Sequence, residues 1–226
     1  MNELFSQVKF QVNSSLYLKD PTTSDLGNKI LCESVNHIYT LGFEHFTFKK
    51  LAIEIKSTEA SIYRYFESKQ KLLLYLINWY WSSIEYRLVF ELNNIEDPKE
   101  RLKKAIYILV STPHESNISS FGNESKLKSI LINESTKVIH TKDVDFENKE
   151  GAFAVYKSIV MRVAGIIFEI NPRFKYANML VSTIIEGSNQ QRFFENHLPR
   201  LTNKIEGKDS VEEFFMEMVF KTILDE

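Results

Sequence analysis

Thr58-Glu59-Ala60-Ser61-Ile62-Tyr63-Arg64-Tyr65-Phe66-Glu67-Ser68-Lys69 is the stretch that decides the fold. The Thr58 hydroxyl can cap a helix, Ile62 and Phe66 share one face, and Glu59, Ala60, Ser61 and Arg64 are left on the other. Upstream, Thr47 opens a second short segment whose apolar side is Leu51, Ala52 and Ile55, and only the tight turn at Lys56-Ser57 separates the two. Helices over about 48–55 and 59–65 joined this way have the spacing of a helix-turn-helix. The first braces the second, and the second can enter a major groove.

A helix pair reads DNA only when phosphate donors fix its register on the duplex. Thr47 and Thr58 begin the two helices, where free N–H groups and a positive dipole end attract phosphate. Tyr63 and Tyr65 add hydroxyls, and Lys69 begins the next helix. From Thr47 to Lys71, the cations Lys49, Lys50, Lys56, Arg64, Lys69 and Lys71 exceed Glu54, Glu59 and Glu67 by three charges. The whole chain, by contrast, carries 28 Lys+Arg against 30 Asp+Glu, a net −2. That balance excludes a polybasic coat, so the basic surface is local.

Working outward, 226 residues at 43% apolar and 26% charged suffice for a sizeable core in one or two domains. Seven glycines never form G-x-G-x-x-G or G-x-x-x-x-G-K-[ST], so no phosphate-cradling loop and no cofactor is expected. The lone Cys32 excludes a disulfide scaffold and fits the reducing cytoplasm. Met1 to Val12 lacks a signal's continuous apolar stretch, so the Asn-x-Ser matches at Asn13, Asn117, Asn123 and Asn133 are read as chance. Leu72 to Trp81 and Val163 to Phe168 fall short of the ~18 apolar residues of a membrane span.

Helical periodicity continues on both sides. A first helix opens at Ser24, carries Leu26, Ile30, Leu31, Ser34, Ile38 and Leu41 on one face, and ends at Gly42. A long one runs from 69 to about 90 behind Ser68. Asp97-Pro98-Lys99-Glu100 starts another as N-cap, N1 proline and N3 glutamate. Ser111 to Ser125 reads as a polar loop. Leu127, Ile130, Leu131, Glu134 and Val138 resume the helical pattern, followed by helices at about 149–170 and 174–196. The last opens at the capping box Ser210-Val211-Glu212-Glu213 and runs to about 224. The expectation is an all-α chain of about nine helices, with residues 1–21 a short extended arm.

Gly42-Phe43-Glu44 to Thr47, Leu51-Ala52, the run Thr58 to Lys69 and Leu72-Leu73 together resemble the TetR family of bacterial transcriptional regulators over about residues 25–85. The Ile-Tyr-Arg-Tyr-Phe-x-Ser-Lys run is the most specific piece. Ile184-Ile185-Glu186-Gly187 to Phe194 is similar to the family's penultimate helix. The resemblance implies a DNA-binding domain at 22–70, motif 48–66, and a ligand-binding and dimerisation domain at 71–226. It also implies that Thr47, Tyr63, Tyr65 and Lys69 contact phosphates while Glu59, Ala60, Ser61 and Arg64 face base edges, and Lys49 and Thr58 complete the expected DNA-binding surface. The last two helices would pair two protomers as a four-helix bundle through Phe193, Phe194, Phe214, Phe215, Met218 and Val219. Two recognition helices would then meet a palindromic operator ~34 Å apart, and a small-molecule effector in the C-terminal domain would release it by shifting the fourth helix. Two departures stand out: Lys56 occupies the usual turn glycine, and Glu59 replaces a frequent lysine.

Other clusters read as structure. Trp79, Tyr80, Trp81 and Tyr86 form an aromatic stripe of the kind that fills cores. Glu134, His140, Asp143, Asp145 and Glu147 read as a solvated charged face. The calcium-loop template fails there, because Asn148 and Ala154 stand where glycine and glutamate are needed. His37, His45, His114 and His197 lack ligand spacing, so no metal or catalytic site is expected. Cys32 reads as a buried small hydrophobe. The net acidic charge, Lys56 and Glu59 motivate an alternative, an all-helical small-molecule carrier or enzyme with a vestigial DNA-binding domain.

Overall fold

The computed structural model describes residues 10, 12–112 and 124–224. Pro113, His114, Asn117, Gly122 and Asn123 of the expected loop lie outside the described residues, as do residues 1–9 and 11 of the expected arm. Among the described residues there are eleven α-helices and no strand: α1 (Asp25–Leu41), α2 (Phe48–Glu54), α3 (Glu59–Tyr63), α4 (Lys69–Leu92), α5 (Pro98–Val110), α6 (Glu124–Glu134), α7 (Thr136–Ile139), α8 (Val144–Lys149), α9 (Ala154–Ile170), α10 (Ala177–His197) and α11 (Ser210–Leu224). The two beyond the expected nine are α7 and α8. Gly151 at φ +84° follows α8, so α9 begins at Ala154 rather than near 149.

The chain divides into two compact units that interleave along the sequence. One comprises Met1–Ser82 with Thr112–Ala154, the other Ser83–Ser111 with Val155–Glu226. Helices α6, α7 and α8 cluster with the helix-turn-helix.

In the first unit, the Ser24 hydroxyl accepts from the Gly27 amide to cap α1, and Gly42 at φ +74° closes the helix with its N–H on Ile38. Ile30, Leu31, Ser34 and Ile38 are buried on the face that packs against α6. Leu72 to Ser82 of α4 is buried at every position, the mark of a helix enclosed on all sides. Trp79, Tyr80 and Trp81 are therefore core, and the Phe10 ring meets Trp79 edge-on at 5.1 Å. Cys32 is half-buried rather than buried, and desolvation raises its thiol above the ordinary range. The arm is not extended over its described part. One-turn 3-10 helices at Ser14–Leu16 and Pro21–Thr23 fold it back, Leu16 is fully buried, and the Leu18 amide donates to the Tyr65 carbonyl at 2.8 Å.

In the second unit, α11 packs on α5 and α10. A Cβ on Gly187 of α10 would come within 2.9 Å of the Phe215 ring, so the bare glycine lets the two helices approach. Arg192 ties their ends, reaching Asp209 at 2.6 Å and Glu195 at 3.1 Å. The cap of α11 is Asp209, not Ser210. The Asp209 carboxylate accepts the Glu212 amide at 3.0 Å, while the Ser210 hydroxyl turns back to accept from Ile205 at 2.8 Å.

Candidate nucleic-acid interface

Leu51, Ala52, Ile55, Ile62 and Phe66 are all buried, so α2 and α3 stand on one apolar floor. Thr47 caps α2 by accepting the Lys50 amide, and Thr58 caps α3 by accepting the Ser61 amide, each at 3.2 Å. Between them, Ser57 N–H bonds the Ala52 carbonyl at 2.9 Å and Lys56 N–H the Ile53 carbonyl at 3.2 Å. This is a Schellman ending to α2. Its left-handed residue is Lys56 at φ 53°, the one positive-φ non-glycine among the described residues.

The outer surface carries Glu59, Ala60 and Arg64 exposed and Ser61 half-exposed, with Thr47, Lys49 and Thr58 exposed beside them. Tyr63 is 48% exposed and rests edge-on against Phe48 at 5.0 Å, which aims the phenol outward. Tyr65 and Lys69 sit differently. The Tyr65 ring is only 3% exposed, its hydroxyl shares a 2.8 Å hydrogen bond with Ser24, and the Lys19 ammonium lies 5.1 Å above the ring. The Ser24 hydrogen bond, opposed by burial and aided by Lys19, holds the phenol below its ordinary pKa.

Lys69 turns inward. Its ammonium donates to the carbonyls of Phe43 at 3.0 Å, Phe46 at 3.2 Å and Glu44 at 3.4 Å, and stands 4.5 Å over the Phe43 ring. Three donors on three carbonyls complete the ammonium's capacity. Lys69 thus braces the turn at 42–46 that delivers Thr47.

The same turn is gripped from α6 and α7. The buried Glu134 carboxylate accepts the Phe43 amide at 3.0 Å, and Lys137 bridges Glu44 at 2.8 Å and Glu134 at 2.9 Å. Hydrogen bonding to Lys137 lowers the Glu44 carboxyl below its usual range. Burial pushes the Lys137 ammonium down, but the two carboxylates outweigh it and leave it raised. The solvated acidic face expected here is corrected accordingly: Glu134 is enclosed, and Glu147 is paired with Lys71 at 2.8 Å. Periodicity put Glu134 in the apolar row of α6 but gave no hint of the Phe43 amide or of the Glu147–Lys71 pair, because those partners are distant in sequence.

The residues expected to pair protomers separate into two groups. Phe214 is 55% exposed, and Phe193, Phe194 and Met218 are half-exposed. Phe215 and Val219 are buried within the protomer, since successive turns of α11 put them on the side packed against α10 and α5. Among the described residues no cluster of His, Cys, Asp or Glu could hold a metal ion, and no helix is long and apolar enough to cross a membrane.

A family model described as bacterial regulatory proteins, tetR family, matches residues 30–76, the span from mid-α1 through the helix-turn-helix into α4. No curated protein sequence matches the chain. Among solved structures, the superantigen PfiT aligns at TM-score 0.59 and 16% identity over 89% of this chain and 97% of its own. A protein of Saccharomonospora viridis assigned as a transcriptional regulator, in complex with choline, aligns at TM-score 0.56 and 16% identity over 87% and 94%. AibR in complex with isovaleryl coenzyme A and operator DNA aligns at TM-score 0.54 and 17% identity over 84% and 94%. At these identities the likeness is one of fold.

Proposed function

Because the chain carries the DNA-binding domain of the tetR family of bacterial regulatory proteins over residues 30–76, we propose that it is a repressor. It holds a palindromic operator as a homodimer and leaves it when a small molecule binds the C-terminal helices. The observation that carries this reading is α3 itself, a one-turn helix anchored by buried Ile62 with Tyr63 and Arg64 directed to solvent. Arg64, Ser61, Ala60 and Glu59 are the residues we assign to base edges. Thr47, Lys49, Thr58 and Tyr63 are assigned to phosphates. Tyr65 is assigned to a phosphate through its hydroxyl, which would exchange or share its Ser24 partner on binding. Lys69 acts on phosphate contact indirectly, by holding the turn before Thr47.

Proteins of this fold have been solved with isovaleryl coenzyme A and with choline, which supports a small-molecule effector here. Such a ligand acts only if it binds the DNA-free form more tightly than the DNA-bound one. The test of DNA binding is selection of duplexes from a random-sequence library by the purified chain, followed by affinity against salt. Counterion release predicts that log K falls linearly with log salt, by about 0.9 per phosphate contact. Failure to enrich any duplex, or an affinity indifferent to salt, would remove the reading.

A further inference from the structure

The Phe43 amide lies in the six-residue connection between α1 and α2, and its hydrogen bond is made to Glu134, ninety-one residues away. Two local terms oppose a carboxylate at that position. Glu134 is the last residue of α6, where the helix dipole is negative, and it is only 7% exposed, so its charge is largely desolvated. Both are offset from outside the helix, by the Phe43 N–H on one oxygen and Lys137 on the other. Lys137 then continues to Glu44. The Lys69 ammonium at 4.5 Å and the Lys137 ammonium at 5.9 Å both stand over the Phe43 ring. Residues 42–46 are thus held on their carbonyls by α4 and on their amide and carboxylate side by α6 and α7.

That turn sets where Thr47 begins α2, and α2 is the brace on which α3 stands. The geometry points to Glu134 as a positioning residue for DNA binding: through its hydrogen bond from the Phe43 amide it fixes the helix-turn-helix to α6, so that α2 and α3 meet the duplex already in register. Glu134 touches no DNA. Its loss leaves the Phe43 N–H buried without an acceptor, and the turn relaxes to hydrate it. The role rests on the DNA-binding reading above and deepens it.

The experiment uses the full chain and a duplex that the wild-type chain selects from a random-sequence library. Glu134→Ala is expected to raise Kd on the order of tenfold, about 1.4 kcal/mol, with the salt slope unchanged because no phosphate contact is lost. Glu134→Gln keeps an amide oxygen for the Phe43 N–H and nearly keeps the volume, so it should recover most of the affinity and carry the test if the alanine variant fails to fold. Lys49→Ala is the contrasting control: removal of an exposed cation at α2 should shallow the slope by about 0.9. Hydrogen exchange should show faster exchange at Phe43 in Glu134→Ala than in Glu134→Gln. Wild-type affinity in folded Glu134→Ala overturns the role and leaves DNA binding standing. So does a glutamine variant as weak as the alanine one, because then the hydrogen bond is not what matters. A wild-type chain that enriches no duplex overturns both.

Discussion

Lys56 is where a single residue decides how tightly the motif closes. A left-handed backbone crowds Cβ against the following carbonyl, a strain of roughly 1–2 kcal/mol for an ordinary residue that glycine escapes. The Schellman hydrogen bonds around Lys56 hold it there nonetheless. Lys56→Gly is therefore expected to raise stability by up to about 1 kcal/mol, the gain being trimmed by the freer unfolded chain, and urea denaturation of the two proteins checks it. An unchanged or lowered midpoint would show that the lysine is relaxed in its turn. Beside it, the exposed guanidinium of Arg64 is assigned to a base edge. Arg64→Ala should weaken the selected duplex by about 1–3 kcal/mol and relax the sequence preference at one position, as reselection from the same library would reveal.

At the scale of an element, α11 depends on a cap that lies one residue before its capping box. Burial tends to raise the Asp209 carboxyl, but Arg192 and the Glu212 amide prevail and hold it below its ordinary value of 3.8. A carboxyl whose folded pKa is depressed contributes stability above its unfolded pKa and loses it as pH falls through the folded one. This contribution is thus complete at neutral pH and disappears below the ordinary aspartate value of 3.8. Asp209→Asn should cost about 0.5–2 kcal/mol at pH 7 through the weakened cap and the half-abandoned Arg192, and the difference from wild type should shrink toward pH 3. Thermal melts at both pH values measure it, and a pH-independent difference would contradict the linkage. Ser210-Val211-Glu212-Glu213 matches the capping pattern as well as the true cap does. What separates them is Arg192, which pairs with Asp209 from another helix.

At the scale of the whole molecule, the proposed homodimer would use the exposed part of α10 and α11. Phe214→Glu places a charge on that apolar face and gives up the edge-on contact of the Phe214 ring with Phe215, while Phe215 itself stays buried. It should give a folded monomer by analytical ultracentrifugation that binds an operator half-site but loses most of its affinity for the paired site, since two linked modules gain from effective concentration. A variant that stays dimeric would move the interface elsewhere. Nine of the eleven helices, the caps at Ser24, Thr47, Thr58 and Asp97, and the helix-turn-helix were legible from residue order, because helical periodicity, capping and tight turns are interactions among residues a few positions apart. The buried floor of Leu51, Ala52, Ile55, Ile62 and Phe66 followed for the same reason. Glu134, Lys69 and Phe215 behave otherwise. Glu134 reads locally as one acid among several, Lys69 as one more phosphate cation, and Phe215 as a twin of Phe214. Each is assigned by a partner brought from far along the chain: the Phe43 amide, the carbonyls of 43–46, and the space left by Gly187. Burial and pairing are properties of neighbours in space, and only the packed tertiary structure supplies those neighbours.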